Sequence, residues 1–348
     1  MTDLELKELL SLTDPAALRE LYGRAYRVKL QYIGPRVSIR GLIEVSNICA
    51  KNCFYCGIRR GNRLVKRYRI DADEIVETAV WAYEQKFGSI VMQSGEIESP
   101  EFAAFIESVL KRISAATGGG LGVTLSCGEQ SPEVYERWRN AGATRYLLRI
   151  EASNPELYRR LHPADHDFNA RLECLRSLRK LDYQVGSGVM IGLPGQTVDD
   201  LVHDLRFFEE FDLDMIGMGP YIPHADTPLG HGIEVTEEYR RRQLEAGLRM
   251  IACTRLLLRD VNIASTTALQ ALGDNGRELG LLAGGNVVMP NITETGYRKG
   301  YQLYEGKPAL EESSAESRDN LSRRIASIGE TIRWAEPGDS LHYAARHR

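Results

Sequence analysis

The residues best suited to chemistry are three cysteines within eight positions, Cys49, Cys53 and Cys56, spaced C-x3-C-x2-C. Three thiolates that close can share one metal centre, and soft thiolate ligands select an iron–sulfur cluster or zinc. A [4Fe–4S] cluster commonly takes four cysteines. The next cysteine is Cys127, so this loop offers only three. Three ligands on four irons leave one iron open, and an open coordination position marks catalysis rather than structure. The alternative is a structural zinc knuckle completed from elsewhere in the chain. Zinc knuckles are usually built from two ligand pairs, and the expectation is that this chain supplies no second pair.

The elements around the loop say how it is held. Residues 1–35 read as two helices, the second opened by Asp14-Pro15, with proline at the first helical position. Residues 36–45 are rich in β-branched side chains and form a strand that runs straight into the cysteines. From Asp71 to Met289 strand and helix alternate. Asp71 and Glu74 form a capping box, and Ser99, Ser131, Asn154 and Thr197 each precede a helix as its cap. Further strands are expected at 88–93, 122–126, 145–150, 184–191, 214–218, 262–265 and 286–289. Eight short apolar strands, each followed by a helical pattern, predict a complete parallel (β/α)8 TIM barrel. The whole chain then forms one domain: helices at 1–35, the barrel at 36–308 and a helical extension at 309–348. In that tail Leu321, Ile325, Ile328 and Ile332 have the spacing of a single amphipathic helix packed on the barrel.

A barrel enzyme places its chemistry at the C-terminal ends of its strands. The cysteine loop follows strand 1 and lies on that face. Ser94, Gly95 and Glu96 follow strand 2, and Thr124 ends strand 3. Arg149 and Glu151 end strand 4, Met190 ends strand 5, and Met215 lies on strand 6. Thr266 and Thr267 end strand 7, and Tyr297 and Tyr301 follow strand 8. A glycine lets backbone approach the charged end of a ligand, and the acid beside it can take an ammonium. Arg149 with Glu151 is either a structural ion pair or a receptor for a zwitterion. Arg171 reads most simply as a surface residue. The basic run Arg59, Arg60, Arg63, Lys66, Arg67 and Arg69 is a solvated face or a shield for negative charge near the loop.

The bulk properties narrow the class. The chain has 348 residues, 43% hydrophobic and 26% charged, the profile of an ordinary globular protein. A net charge of −4 argues against a broad nucleic-acid footprint. No apolar run reaches the roughly 18 residues of a membrane span. The N-terminal residues lack the apolar core of an export signal. A cytoplasmic protein is expected, with no nucleic-acid or membrane partner and with its clustered cysteines on a metal rather than in disulfides.

The cysteine spacing, with an aromatic residue before the last Cys, resembles the radical S-adenosylmethionine (SAM) superfamily. The later runs QSGE, TLSCGE, RYLLRIEASNPELYRRL, GLPGQT, GPYIPHADTPL, NIASTTAL, GGNVVMPN and YRKGYQLYEGK are similar to the HydE family of [FeFe]-hydrogenase maturases. That family stands in the group of biotin synthase and methylornithine synthase. The resemblance implies one [4Fe–4S] cluster on Cys49, Cys53 and Cys56. It implies SAM on Ser94, Gly95, Glu96, Glu151, Arg171 and Met190, with Tyr55 against the adenine. Arg40, Thr124, Arg149, Met215, Thr266, Thr267, Tyr297 and Tyr301 would line an internal substrate cavity, where Arg149 and Arg40 with the two threonines anchor a carboxylate.

The implied reaction is reductive cleavage of SAM to methionine and a 5′-deoxyadenosyl radical. The radical attacks the cysteine sulfur of an Fe(CO)2(CN) unit made by HydG. The product passes towards HydF, and a ferredoxin or flavodoxin supplies the electron. Two departures stand out. Many family members carry three accessory-cluster cysteines after the position of Lys307, where this chain reads KPALEESSAESRDN. Ile150 stands where a histidine can follow the arginine. A radical SAM mutase or sulfur-chemistry enzyme acting on an amino acid is the enzyme alternative, and an iron–sulfur electron carrier the non-enzyme one.

Overall fold

β1 (Arg36–Ser46) is buried along most of its eleven residues. A strand covered on both faces reads as a nearly continuous apolar run, as barrel strands do. A computed structural model describes residues 1–347 and places ten further strands after it. They are β2 (Ser89–Ser94), β3 (Gly122–Ser126), β4 (Ala143–Leu147), β5 (Gln184–Ser187) and β6 (Met190–Ile191), then β7 (Met215–Ile216), β8 (Gly219–Pro220), β9 (Asn262–Ile263), β10 (Val287–Val288) and β11 (Thr331–Ile332). Strands β1 to β5, then β7, β9 and β10, lie side by side in that order. β10 pairs in parallel with β1, and a parallel bridge between Ala264 and Val287 completes the ring. This is the eight-stranded parallel barrel that the alternation predicts, with helices around it.

Two expected strands are interrupted. The stretch 184–191 breaks into β5 and β6, and 214–218 ends early, with β8 resuming beyond it. Backbone packs closely at both breaks: a Cβ on Gly188 would lie 2.1 Å from the Gly217 carbonyl oxygen. β6 and β8 pair with each other as a separate short ladder.

Helix starts follow the caps. Ser99, Ser131, Asn154 and Thr197 each accept a backbone N–H of the helix they open. The box at Asp71 is not formed: Asp71 caps the helix Ala72–Glu84 without a side-chain hydrogen bond. Glu74, its expected reciprocal partner, accepts instead from the Tyr297 hydroxyl at 2.9 Å.

The C-terminal segment departs most from expectation. The helix Ser314–Ser327 buries Leu321 and Ile325. It ends at Ile328, and Gly329 turns the chain with φ at +78°. Ile332 therefore lies in β11, which pairs in parallel with the start of β1. The chain then crosses the barrel at the end opposite the cysteine loop and closes it as a floor. The Gly338 carbonyl accepts from Arg40 Nη2 at 3.1 Å and from Asn262 Nδ2 at 3.0 Å. Asp339 pairs with Arg145, and Gln184 Nε2 donates to it at 2.6 Å. Gly88 is required here, since a Cβ on it would sit 1.7 Å from the Glu336 carbonyl oxygen.

The loop leaving β4 is pinned by one buried carboxyl. Asp204 Oδ1 accepts from the Ser153 N–H at 2.8 Å and the Ser153 hydroxyl at 2.6 Å. Burial pushes the Asp204 carboxyl up to about 7, against the two hydrogen bonds.

Two predictions follow from these contacts. Asp339→Ala leaves buried Arg145 without its counterion and lowers stability by about 1–3 kcal/mol. The loss is below that of a fully enclosed pair because Asp339 is 49% exposed and Arg145 only 1%. A denaturant midpoint measures it, and Gly88→Ala lowers the same midpoint by dislodging the segment. The second concerns pH. A carboxyl with a raised folded pKa contributes stability at low pH that is lost as pH rises through the folded value. Wild-type stability from this group therefore falls between the ordinary aspartate value of about 4 and pH 7. Asp204→Asn flattens the fall, and equal slopes in the two proteins would show that Asp204 is not its source.

Candidate active site

The cysteine loop is fixed by backbone hydrogen bonds from all sides. The Ala50 N–H donates to the Glu96 carbonyl at 2.8 Å and the Gly95 N–H to the Ser46 carbonyl at 2.8 Å. Phe54 donates to Leu161 and Gly57 to Leu303, each at 2.9 Å. Arg67 closes the loop's base by donating to the carbonyls of Asn47, Ile58, Arg59 and Asn62 at 2.6–3.1 Å. Gly95 is required by proximity, since a Cβ there would lie 2.3 Å from the Ile48 carbonyl oxygen.

The three cysteines are free thiols and line one cavity of about 330 Å³ at the C-terminal mouth of the barrel. Burial pushes the Cys53 thiol up to about 12, and it raises Cys49 and Cys56 as well. Coordination to a metal deprotonates a thiol outright. Three thiols with no fourth cysteine beside them suit a cluster in which each thiolate bonds a different iron. The chain does hold a further ligand-type pair, His162 and His166 at H-x3-H spacing, contrary to expectation. Both imidazoles are engaged by the loop. His166 Nε2 accepts the Asn52 N–H at 3.0 Å. His162 Nδ1 lies 2.8 Å from the Tyr158 carbonyl oxygen, so it carries the proton and donates. Its Nε2 is then left to accept from Tyr55 Oη at 3.3 Å. Burial drops His162 to about 3, so it is neutral and serves to orient Tyr55.

Four charges stand beside the cysteines. Arg171 is not a surface residue: its side chain is 11% exposed and reaches Glu96 at 3.3 Å and Glu129 at 2.5 Å. Lys51 bridges the same two acids at 3.1 and 2.7 Å. Burial opposes the charge on Glu129, but Arg171 and Lys51 outweigh it and hold the carboxyl below its usual range. For Glu96 burial wins, and its pKa is raised. The Glu96 N–H points at Cys49 Sγ, 3.4 Å away.

Glu151 adopts a left-handed backbone with φ at +65°. A non-glycine residue held there costs on the order of 1 kcal/mol or more, and such strain clusters at functional sites. Its backbone is clamped by Gly188 and Met190, each at 3.0 Å. Glu151 Oε2 lies 2.9 Å from Arg149 Nη2, but off the hydrogen-bonding direction, so the pair is ionic and the oxygen keeps an acceptor free. Arg149 Nε and Thr266 Oγ1 are likewise buried without a partner. Unpaired buried polar atoms are costly, and here they line the cavity that holds the thiols.

Fourteen expected residues share this cavity: the three cysteines, Tyr55, Ser94, Gly95, Glu96, Arg149, Glu151, Arg171, Met190, Thr266, Thr267 and Tyr301. Four do not line it. Arg40 is fully buried at the floor, against Met215 Sδ and Gly338. Thr124 accepts from Arg145 Nε at 3.1 Å in the same layer. These three point toward the N-terminal end of the barrel because strand residues two apart share a face but lie at different depths. Tyr297 packs on Tyr68 and donates to Glu74 at the outer rim. Arg40 thus lies apart from Arg149, Thr266 and Thr267, which share the cavity, so the four do not form the single anchor that was expected.

Sequence reading missed Glu44, Lys51, Glu129, Tyr304 and Lys307. Glu44 is 2% exposed and pairs with Lys307, and Asn291 Nδ2 donates to it at 3.0 Å. Lys307 also donates to the Tyr301 carbonyl at 2.9 Å, which fastens the segment carrying Tyr301, Leu303 and Tyr304 across the cavity. A charged residue inside an apolar strand was the signal for Glu44. An acid after strand 3, matching Glu96 after strand 2, was the signal for Glu129.

A parallel barrel with three thiols and paired charges at its C-terminal mouth is the architecture of a radical SAM enzyme, and residues 43–208 match the Radical SAM superfamily. The chain is 45% identical over 325 residues to the [FeFe] hydrogenase maturase subunit HydE of Thermotoga maritima, covering 93% of this chain and 90% of that protein. It belongs to the HydE family. It is also 27% identical to 3-methylornithine synthase of Methanosarcina barkeri, over 94% of this chain and 89% of that one. Methylornithine synthase (PylB) superposes with a TM-score of 0.82 at 26% identity, covering 96% of this chain and 94% of its own. HydG of Carboxydothermus hydrogenoformans shares the fold, with a TM-score of 0.80 at 18% identity over 96% of this chain and 76% of its own. No described helix is long and apolar enough to cross a membrane.

Glu129→Gln tests the charge network. Losing that carboxylate frees Lys51 and Arg171, and SAM binding measured calorimetrically on the cluster-loaded protein weakens about tenfold. Iron content stays unchanged, since Glu129 touches no cysteine. Unaltered SAM affinity would show that Glu129 does not position Arg171.

Proposed function

We propose that this chain works in [FeFe]-hydrogenase maturation on a cysteine-bound Fe(CO)2(CN) substrate supplied by HydG, and that its product is handed to HydF. The observation that carries the reading is that the unpaired Arg149 Nε and the unpaired Thr266 Oγ1 belong to residues lining the same cavity as the three thiols. A guanidinium can hold a carboxylate through two parallel hydrogen bonds, and threonine hydroxyls can satisfy its remaining lone pairs. These residues suit the carboxylate of a small amino-acid ligand and would set its sulfur toward the cysteine loop.

Cys49, Cys53 and Cys56 would hold one [4Fe–4S] cluster. When bound there with SAM, the cluster supplies a 5′-deoxyadenosyl radical through reductive cleavage. Glu96 would take the ammonium of SAM and Arg171 its carboxylate, with Tyr55, oriented by His162, against the adenine. Ser94, Gly95, Glu151 and Met190 complete that cradle. The Glu44–Lys307 pair holds Tyr301 and Tyr304 over the cavity and excludes water from a reactive species. Arg40, Thr124 and Met215 act from below as the floor, and Tyr297 from the rim. The whole chain works as one domain in the cytoplasm.

Arg149→Lys keeps the charge and loses the bidentate geometry. We expect this variant to cleave SAM slowly and to yield no active [FeFe]-hydrogenase in a reconstituted system with HydG and HydF. Normal hydrogenase yield would exclude the anchoring role. No yield from the wild type would exclude the maturase reading and favour a mutase acting on an amino acid. Reconstituted protein is expected to bind about four irons, from the one site, and eight would reveal a second cluster.

A further inference from the structure

The twelve residues 58–69, which follow Cys56-Gly57, contain six cations and no acid, in a chain of net charge −4. Two of the six serve the loop itself. Arg67 holds four of its carbonyls, and Arg59 donates to the Asn52 carbonyl at 3.4 Å. The other four, Arg60, Arg63, Lys66 and Arg69, are exposed. Arg60 has only a long contact to Asp165 at 3.7 Å, with both side chains about 60% exposed. Arg63, Lys66 and Arg69 have no ion-pair partner among the described residues. Leu64 stands among them at 79% exposure, the most exposed large apolar side chain described.

This surface is bonded to the cysteine loop rather than merely near it. The Arg60 N–H donates to the Lys51 carbonyl at 2.8 Å, and the Gly61 N–H donates to Asn52 Oδ1 at 2.9 Å. Lys51 and Asn52 lie between Cys49 and Cys53, so the cations face outward from the arm that carries two of the thiols. Ile48, next to Cys49, is also exposed at 41%. The cavity lies on the inner side of that arm.

We infer that residues 60–69 form the docking surface for a small acidic one-electron carrier protein of the flavodoxin or ferredoxin kind. The inference rests on the reductive chemistry proposed above, which draws one electron per SAM cleaved from outside the chain. Arg63 and Lys66, without ion-pair partners, flank the bare Leu64 in the chain, with Arg60 weakly held by Asp165 and Arg69 exposed over the Phe105 ring at 5.1 Å. The set matches an acidic surface with an apolar centre, where charge sets the association rate and its dependence on salt. Nucleic acid fits less well, because the patch offers no exposed aromatic side chain for base stacking.

The test compares two electron sources on the cluster-loaded full chain. Arg63→Glu with Lys66→Glu is assayed for SAM cleavage with dithionite and with reduced flavodoxin. With dithionite the double variant matches the wild type, which shows that the fold, the cluster and its potential are intact. With flavodoxin at low ionic strength its kcat/KM for the carrier falls about tenfold or more, and the steep decline with added salt seen in the wild type is lost. Leu64→Ser weakens carrier use without altering the salt response. A double variant that uses flavodoxin as well as the wild type does overturns the docking surface. So does a loss with dithionite equal to that with flavodoxin, because the cations then act on the cluster rather than on a partner. A wild type that takes electrons from neither flavodoxin nor ferredoxin, while cleaving SAM with dithionite, also overturns it. A wild type that cleaves no SAM with dithionite instead removes the reductive reading itself.

Discussion

The cysteine loop has no regular secondary structure, and it must hold three thiols at a fixed spread. Its conformation therefore depends on hydrogen bonds both from its own flank and from elements distant in sequence. Arg67 closes four carbonyls at its base, and Gly95 lets the loop after β2 press against it. His162 and His166, from the far side of β4, meet it through Tyr55 and Asn52. Arg67 acts from the same irregular stretch, while Gly95 follows β2 and the two histidines follow the helix Pro155–Leu161. Irregular backbone is precise only when such contacts over-determine it, and here they come from four sides.

Charge follows the same logic. Lys51, Glu96, Glu129 and Arg171 form an alternating set in which each cation meets two acids. Single buried charges are costly, and a closed set satisfies each member through its neighbours. Glu96 and Arg171 meet at 3.3 Å, and both line the cavity that holds the thiols. Glu151, in a left-handed backbone, is the complementary case: Arg149 meets its charge, yet its Oε2 makes no hydrogen bond.

The two ends of the barrel differ. At the mouth, Glu44 and Lys307 fasten a cover whose aromatic residues face the cavity. At the floor, Gly338 and Asp339 neutralise and cap Arg40 and Arg145. Arg40 and Met215 thus belong to the floor and not to the cavity lining.

What the sequence alone determined was the local chemistry. The C-x3-C-x2-C spacing, the Ser-Pro-Glu and Asn-Pro-Glu caps and the apolar strands are short-range signals, legible because helix and strand periods and cap preferences act over a few residues. They gave the eight-strand barrel and the face that carries the cavity; Tyr55 and Arg171, which also line it, were named only through the family resemblance. The tertiary structure decided how deep each side chain reaches and which charges meet. Arg40 and Arg149 both belong to barrel strands or their ends, yet one lies at the floor and the other at the mouth, since depth follows from register between strands. Glu129 meets Lys51, and Glu44 meets Lys307, across 78 and 263 residues. The path of residues 329–347 across the floor follows from a glycine turn and from a gap that only Gly88 leaves open. No periodic pattern encodes contacts of that range, because they exist only once the barrel has closed.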